Sequence, residues 1–364
     1  MQYRRLAGAM LLLGCGLASS LAHSGTLNFA NWADYAAKDT FANFEKQTGI
    51  KVNFDPFDSE ETLQTKLLVG KSSLDVAVPS SGFLRNQLQA GLYQKLDKSK
   101  LPNWDKLDKG LMKQLEVVDP GNQYAIPWAW GTSGLAINVT KVKQILGASA
   151  PLDSWALLFD PKYSSKLKQC GIGLLESPAD VVAAMLKYQH KDPSHATTQD
   201  VQDAFAQLRQ IRPYITQINS SSYVSDLALG DICLALGWSG DVLQARLSAK
   251  ESKRSDQIEY VVPKEGSVIW FDVMVIPKEA PHLDAAYKWL NYIETPQVHA
   301  EISNAIFYLS ANKAANDLVR PAIRNDPAVN PSEVQRSNLS AVSGFSPDLL
   351  RLMNRLWSGF KSGR

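Results

Sequence analysis

The chain has 364 residues, 45% of them hydrophobic, with 38 Lys and Arg against 36 Asp and Glu and a formal net charge of +2. That length allows two domains with substantial cores. Such an even charge balance lacks the basic patch that nucleic acid or an anionic membrane would require.

Met1-Gln2-Tyr3-Arg4-Arg5 gives a positive start, and a largely apolar run follows from Leu6 to Leu17. Ser20-Leu21-Ala22 then supplies small residues, the order of a secretory signal peptide over 1–22 with cleavage after Ala22. The apolar run is too short and glycine-rich for a membrane span. Leu12-Leu13-Gly14-Cys15 fits a lipoprotein cleavage box poorly, so lipid anchoring is not expected. Cleavage removes Arg4 and Arg5 but no acid, leaving bases and acids equal. Cys15 leaves with the signal, while Cys170 and Cys233 remain. An even pair in an oxidising compartment points to one disulfide, although two buried thiols would leave the same trace.

Beyond the signal, strand and helix patterns alternate. Leu27 and Phe29 mark a strand. Asp39 can cap a helix carrying Phe41 and Phe44, stopped by Gly49. Ile50, Val52 and Phe54 alternate as a strand. Ser59 opens a helix with Leu63 and Leu67 on one face and Gly70 at its end. Leu74, Val76 and Val78 alternate up to Pro79, and residues 83–88 read as a helix before Gly91. This βαβα rhythm predicts an α/β sheet with helices on its faces. Ile126 to Thr132 reads as a strand or linker crossing between domains. Residues 200–212 and 223–229 read as helices, Ile232–Leu236 and Val268–Ile276 as strands, and Ala285–Ile293 as a helix. Arg320 to Pro331, with three prolines, reads as a loop. Ser346-Pro347 opens a last helix with Leu349, Leu350, Met353, Leu356, Trp357 and Phe360 at helical spacing.

Catalytic signatures are missing. The histidines at 23, 190, 195, 282 and 299 make no zinc spacing, and no Walker loop or dinucleotide fingerprint occurs. Gly237-Trp238-Ser239-Gly240 only partly resembles a GxSxG elbow. What does recur is an aromatic followed closely by an acid: Trp32 with Asp34 and Tyr35, Trp238 with Asp241, and Trp270 with Asp272. The first two follow apolar strands, where α/β sheets present side chains to a cleft, and the third lies within one. An alkylammonium has a charged head for carboxylates and an apolar stem for aromatic faces. Tryptophans also fill cores, and the same mixture suits sugars. These residues alone therefore predict an exported two-domain binder of a small polar or cationic ligand, or a glycosidase-like enzyme using two carboxylates.

Several motifs resemble the spermidine/putrescine-binding proteins of polyamine ABC importers. They begin with Asn31-Trp32-Ala33-Asp34-Tyr35, the stretch from Phe44 to Val52, Asp75 to Ser80, and Leu96 to Pro102. Asn219 to Tyr223, Gly230 to Cys233 and Gly237 to Asp241 continue the series, as do Val262 to Gly266 with Trp270-Phe271-Asp272. Phe307-Tyr308 before Ala311 to Ala315 completes it, collinear over almost the whole mature chain. The resemblance implies a type II periplasmic binding fold with two hinged α/β lobes, each a mixed sheet flanked by helices. Lobe 1 would take 23–131 plus 271–316, and lobe 2 would take 132–270 plus 317–364. It implies capture of a polyamine by a periplasmic monomer serving an inner-membrane permease, with no enzyme activity, cofactor, metal or nucleic acid.

Position by position, the resemblance makes Trp32, Tyr35, Trp238, Trp270 and Tyr308 an aromatic box. It makes Asp34, Asp241 and Asp272 amine-binding acids, and Ser80 a polar contact. Asp180 stands where the putrescine branch has a glutamate. Ala33 replaces a hydroxyl residue, and Gly82 replaces a tyrosine of the spermidine branch. Trp270 is similar to the spermidine branch, so these signals on ligand length conflict. Cys170 and Cys233 match a disulfide of the putrescine branch. Another amine or a guanidine remains an alternative ligand, and a carboxylate-dependent glycoside hydrolase an alternative activity.

Overall fold

The computed structural model describes residues 25–57, 60–68, 73–332, 335–336, 338–341 and 344–363. The expected signal segment 1–22, Ser59 and Gly70 lie outside them. Strand β1 (Thr26–Trp32) buries Leu27 and Phe29. Helix α1 (Thr40–Thr48) stops at Gly49, whose φ of 71° is a left-handed cap that costs glycine no Cβ clash. Asp39 precedes it, but its side chain makes no cap bond. Strand β2 (Lys51–Phe57) runs parallel to β1 at the sheet edge. Helix α2 (Glu60–Leu68), β3 (Val76–Ala77) and α3 (Ser81–Gln89) complete the rhythm read from sequence. Beyond β3 the chain continues beside a later strand: Pro79 C=O accepts from Val273 N–H at 3.0 Å.

Helix α4 (Lys109–Leu115) leads to β4 (Ala125–Asn138), fourteen residues long and buried throughout. The run from Ile126 to Thr132 is thus strand, not linker. Next come α5 (Val139–Leu146), α6 (Ala156–Phe159), α7 (Pro161–Leu167), β5 (Ile172–Leu174) and α8 (Pro178–Tyr188). Helix α9 (Thr198–Ile211) starts in a reciprocal Thr197–Asp200 capping box. It is followed by β6 (Gln217–Ile218), α10 (Tyr223–Leu229), β7 (Leu234–Trp238), α11 (Ser239–Glu251) and β8 (Ile258–Val261). Strand β9 (Ser267–Val275) returns to the first sheet, before α12 (Leu283–Ile293), α13 (Pro296–Ile306) and α14 (Lys313–Asn316). A short helix α15 (Pro321–Arg324) interrupts the stretch expected as a loop and buries Ile323. After β10 (Leu339–Ala341), Ser346 caps α16 (Pro347–Lys361) by accepting from Leu349 N–H.

The main strand path is β2-β1-β3-β9-β4-β7-β5-β6, with β10 on β9 and β8 on β4. The geometry turns on β4. Its residues 125–132 pair antiparallel with β9, while Ser133 onward pairs with β7 and β8. One strand therefore belongs to two sheets, and two buried cores lie to either side. The first gathers Phe29, Phe44, Trp128, Phe271 and Trp289, with the Phe29 and Trp289 rings 4.7 Å apart. The second gathers Trp155, Phe159, Phe205, Trp357 and Phe360. Val319, Ile323, Val329 and Leu339 pack into the first core, whereas Phe345 and the buried face of α16 pack into the second. Cys170 and Cys233 form a disulfide, Cα atoms 5.5 Å apart, at the starts of the parallel neighbours β5 and β7. The bond lies wholly within the second core's half. Among the described residues no helix is long and apolar enough to cross a membrane.

Candidate functional site

Where β4 and β9 cross between the cores, β9 presents Trp270 and Asp272 on one face, two residues apart. Gly131 lies opposite Trp270, and Ala129 opposite Asp272. Asp272 is 8% exposed. Tyr35 donates its hydroxyl proton to Asp272 Oδ2 at 2.9 Å, and Ser80 forms an isolated bridge to Asp272 at the N-terminus of α3. Burial pushes the Asp272 carboxyl up to about 7, the Tyr35 bond pulls it down, and the charge of Asp180 adds to the rise.

The second core's half supplies Asp241 and Asp180, each in the first turn of a helix that favours a negative group. Asp241 accepts from Tyr223 at 2.9 Å and from Tyr308 at 2.7 Å. Burial raises its pKa, and the two tyrosine bonds oppose that rise. Burial also holds Tyr35, Tyr223 and Tyr308 well above the usual phenol range, so they remain proton donors. Asp180 accepts from Ser177 Oγ at 2.6 Å and from Ser133 Oγ at 2.8 Å. Tyr260 approaches the same region, its hydroxyl 2.6 Å from Thr132 Oγ1.

Aromatic rings fill the space between these acids. Tyr308 meets Trp270 edge-on at 5.2 Å and Tyr35 at 6.2 Å. Trp238 packs against both cores. Glycines make this crowding possible. A Cβ on Gly131 would stand 2.4 Å from Trp270 Cζ2, and one on Gly240 would stand 2.6 Å from Tyr308 Cζ. One on Gly237 would meet the Tyr223 ring at 2.8 Å. These positions are glycine because rings occupy the room a side chain would take.

The acids are held by hydroxyls rather than by cations. Among the described residues, Asp180, Asp241 and Asp272 enter no ion pair. Nor do three His, Cys, Asp or Glu side chains gather closely enough to hold a metal ion. Carboxylates withdrawn from water without counter-charges are costly, and they repel one another. A ligand carrying separated positive charges would relieve both penalties.

Of the residues singled out in sequence, the structure brings together Tyr35, Ser80, Asp180, Trp238, Asp241, Trp270, Asp272 and Tyr308. Trp32 stands at the end of β1 and packs on Phe57 at 4.9 Å. Asp34 is exposed on a left-handed backbone, φ 54°, and no described residue hydrogen-bonds its carboxylate. Tyr223 and Tyr260 were missed as site residues. Tyr223 ends one of the motifs that carry the resemblance, and Gly237 and Gly134 each lie against one of those rings.

Residues 39–331 match the model of the bacterial extracellular solute-binding protein family. The putrescine-binding periplasmic protein SpuD of Pseudomonas aeruginosa is 45% identical over 99% of this chain and 96% of its own length. The putrescine-binding periplasmic protein PotF of Escherichia coli is also 45% identical, over 99% and 97%. In structure, the spermidine/putrescine ABC transporter substrate-binding protein PotD of Streptococcus pneumoniae superposes with a TM-score of 0.77. It shares 26% identity and is covered over 99% of its length by 93% of this chain. The fold is that of a two-lobed periplasmic binding protein, and the hydrolase alternative falls away, since these relatives bind solutes for transport. The crossing strands, the acids without counter-charges and these likenesses agree: the chain belongs to the bacterial extracellular solute-binding protein family.

Proposed function

We propose that this protein captures a polyamine of the putrescine type in the cleft between its lobes and delivers it to an ABC permease. Three acids held only by hydroxyls, in a space walled by aromatic rings, carry this reading. Asp272, with Asp180 beside it, takes one ammonium, and Asp241 takes the other. Trp238, Trp270, Tyr35 and Tyr308 cover the methylenes between them, with Trp32, Asp34 and Ser80 at the rim. Aromatic faces add about 0.5–2 kcal/mol each toward a desolvated cation. A short diamine is favoured over spermidine because the putrescine-binding relatives are 45% identical, while spermidine/putrescine-binding relatives are 29–30% identical. The lobes follow the two cores and part at 131/132 and 270/271, with Val319, Ile323, Val329 and Leu339 going with the first lobe. The protein works in the periplasm as a monomer, after loss of residues 1–22.

Calorimetric titration of denatured and refolded, ligand-free protein with putrescine, spermidine, agmatine and a neutral sugar tests this. One-to-one binding with putrescine tightest is expected. Preference for agmatine would move the assignment to guanidines, and folded protein giving no heat with any amine would remove the polyamine assignment.

A further inference from the structure

We propose that His299 is a positioning residue for this amine site, pinning the part of β4 beside Asp272 to the loop that carries Tyr308. The inference rests on the ligand reading above. In the β4–β9 ladder Pro127 faces Val273 while Ala129 faces Asp272, so Trp128 is a bulged residue with no facing partner. Bulges re-aim neighbouring side chains, and this one sets the register that puts Asp272 in the cleft. The Trp128 carbonyl accepts a hydrogen bond from His299 Nε2 at 2.6 Å. That role places the ring proton on Nε2, so Nδ1 accepts from Ser310 Oγ at 3.2 Å.

Ser310 is two residues past Tyr308, and Leu309 between them accepts from Trp130 N–H at 3.2 Å. The loop is thus stitched to β4 at two points, and His299, fully buried on α13, makes one of them. Phe307 ends α13 at a φ of 64°, a left-handed turn a bulky residue rarely adopts, and so directs Tyr308 toward Asp241. Phe307 N–H closes that turn on Ser303 C=O at 3.0 Å, and Asn316 holds the Ser310 backbone, so His299 adds the tie from this loop to β4. Burial keeps the imidazole uncharged, its pKa lowered to about 4, so both bonds persist through neutral pH.

The test compares putrescine affinity in wild type, His299→Leu and His299→Gln, each in wild-type and Tyr308→Phe backgrounds. His299→Leu removes both bonds and is expected to weaken binding about tenfold, the scale of buried hydrogen bonds lost. Gln can donate to Trp128 and accept from Ser310, and is expected to restore affinity to within about threefold. In the Tyr308→Phe background His299→Leu should add less than about threefold, because the residue it acts through is already impaired. Equal losses in both backgrounds, or an unchanged affinity, would overturn the proposal. If His299→Leu does not fold, Ser310→Ala breaks only the loop side and carries the same expectations. Crystal structures give a readout without ligand: Tyr308 displaced from Asp241 in His299→Leu supports positioning, and Tyr308 unmoved overturns it. Wild type that binds no amine would instead sink the ligand reading, which these structures do not depend on.

Discussion

Asp272 and Glu294 are both carboxyls that burial pushes upward, to about 7 and about 8. Their surroundings differ. Asp272 lies at the strand crossing with one tyrosine hydroxyl on it and aromatic rings around it. Glu294 is sealed in the first core, 2% exposed, with His299 Nδ1 3.6 Å from its Oε1. On the proposed reading, the same desolvation makes one a ligand trap and leaves the other a structural weakness. A buried acid becomes functional when a positive charge can be delivered to it from outside, and Glu294 has no such route.

The largest test of that contrast is Asp272→Ala. Removing the partner of a buried ammonium is expected to cost about 3 kcal/mol or more, beyond a hundredfold in putrescine affinity by titration. Affinity within threefold of wild type would remove Asp272 from the site. Gly131→Ala probes the aromatic wall beside it, since the new Cβ would drive into the Trp270 and Tyr308 rings. About tenfold weaker binding with wild-type folding is expected, on the scale of the strain from overpacking. Unaltered binding would show that the wall yields freely.

The pH response separates the two acids further. An ammonium favours ionised Asp272, so a proton must leave when ligand binds below about pH 7. Affinity should therefore fall about tenfold from pH 8 to pH 6, with protons released into a weak buffer. A flat profile would show that Asp272 is already ionised when the site is empty.

Glu294 should leave its mark on stability instead. Its folded pKa lies above the unfolded value, so between about 4 and 8 the folded state holds a proton that the unfolded chain has lost. Stability contributed by this group is full at low pH and declines as pH rises to about 8. Glu294→Gln removes that decline. The variant should melt a few degrees above wild type at pH 8.5 and alike near pH 4.5, with putrescine affinity changed less than about threefold. Equal melting at pH 8.5 would show that ionised Glu294 costs the folded state nothing.

Much of this was legible in the sequence, for local reasons. The βαβα start, Gly49 as a cap and the periodic face of α16 are written in neighbouring residues. Trp270 with Asp272, and Trp238 with Asp241, lie close along the chain and drew notice without a fold. Tyr223, Tyr260 and His299 did not, because Tyr223 reaches Asp241 and His299 reaches Trp128 only through tertiary packing. Asp39 misled, since a good capping residue is only an opportunity for a bond. Ile126 to Thr132 was ambiguous because a strand buried on both faces loses its alternation.

The crossing of β4 and β9 has a mechanical consequence. Trp270, Asp272, Gly131 and Ser133 all sit on the strands about which the lobes would swing. A ligand gripped there acts next to the pivot, where the arm of the lever is shortest. A slight adjustment of ring against stem at the pivot becomes a wide travel at the distant rims. On the proposed reading, substitutions that tune which amine fits should also retune how far and how often the jaws shut, and a permease that senses the rims would read both changes as one.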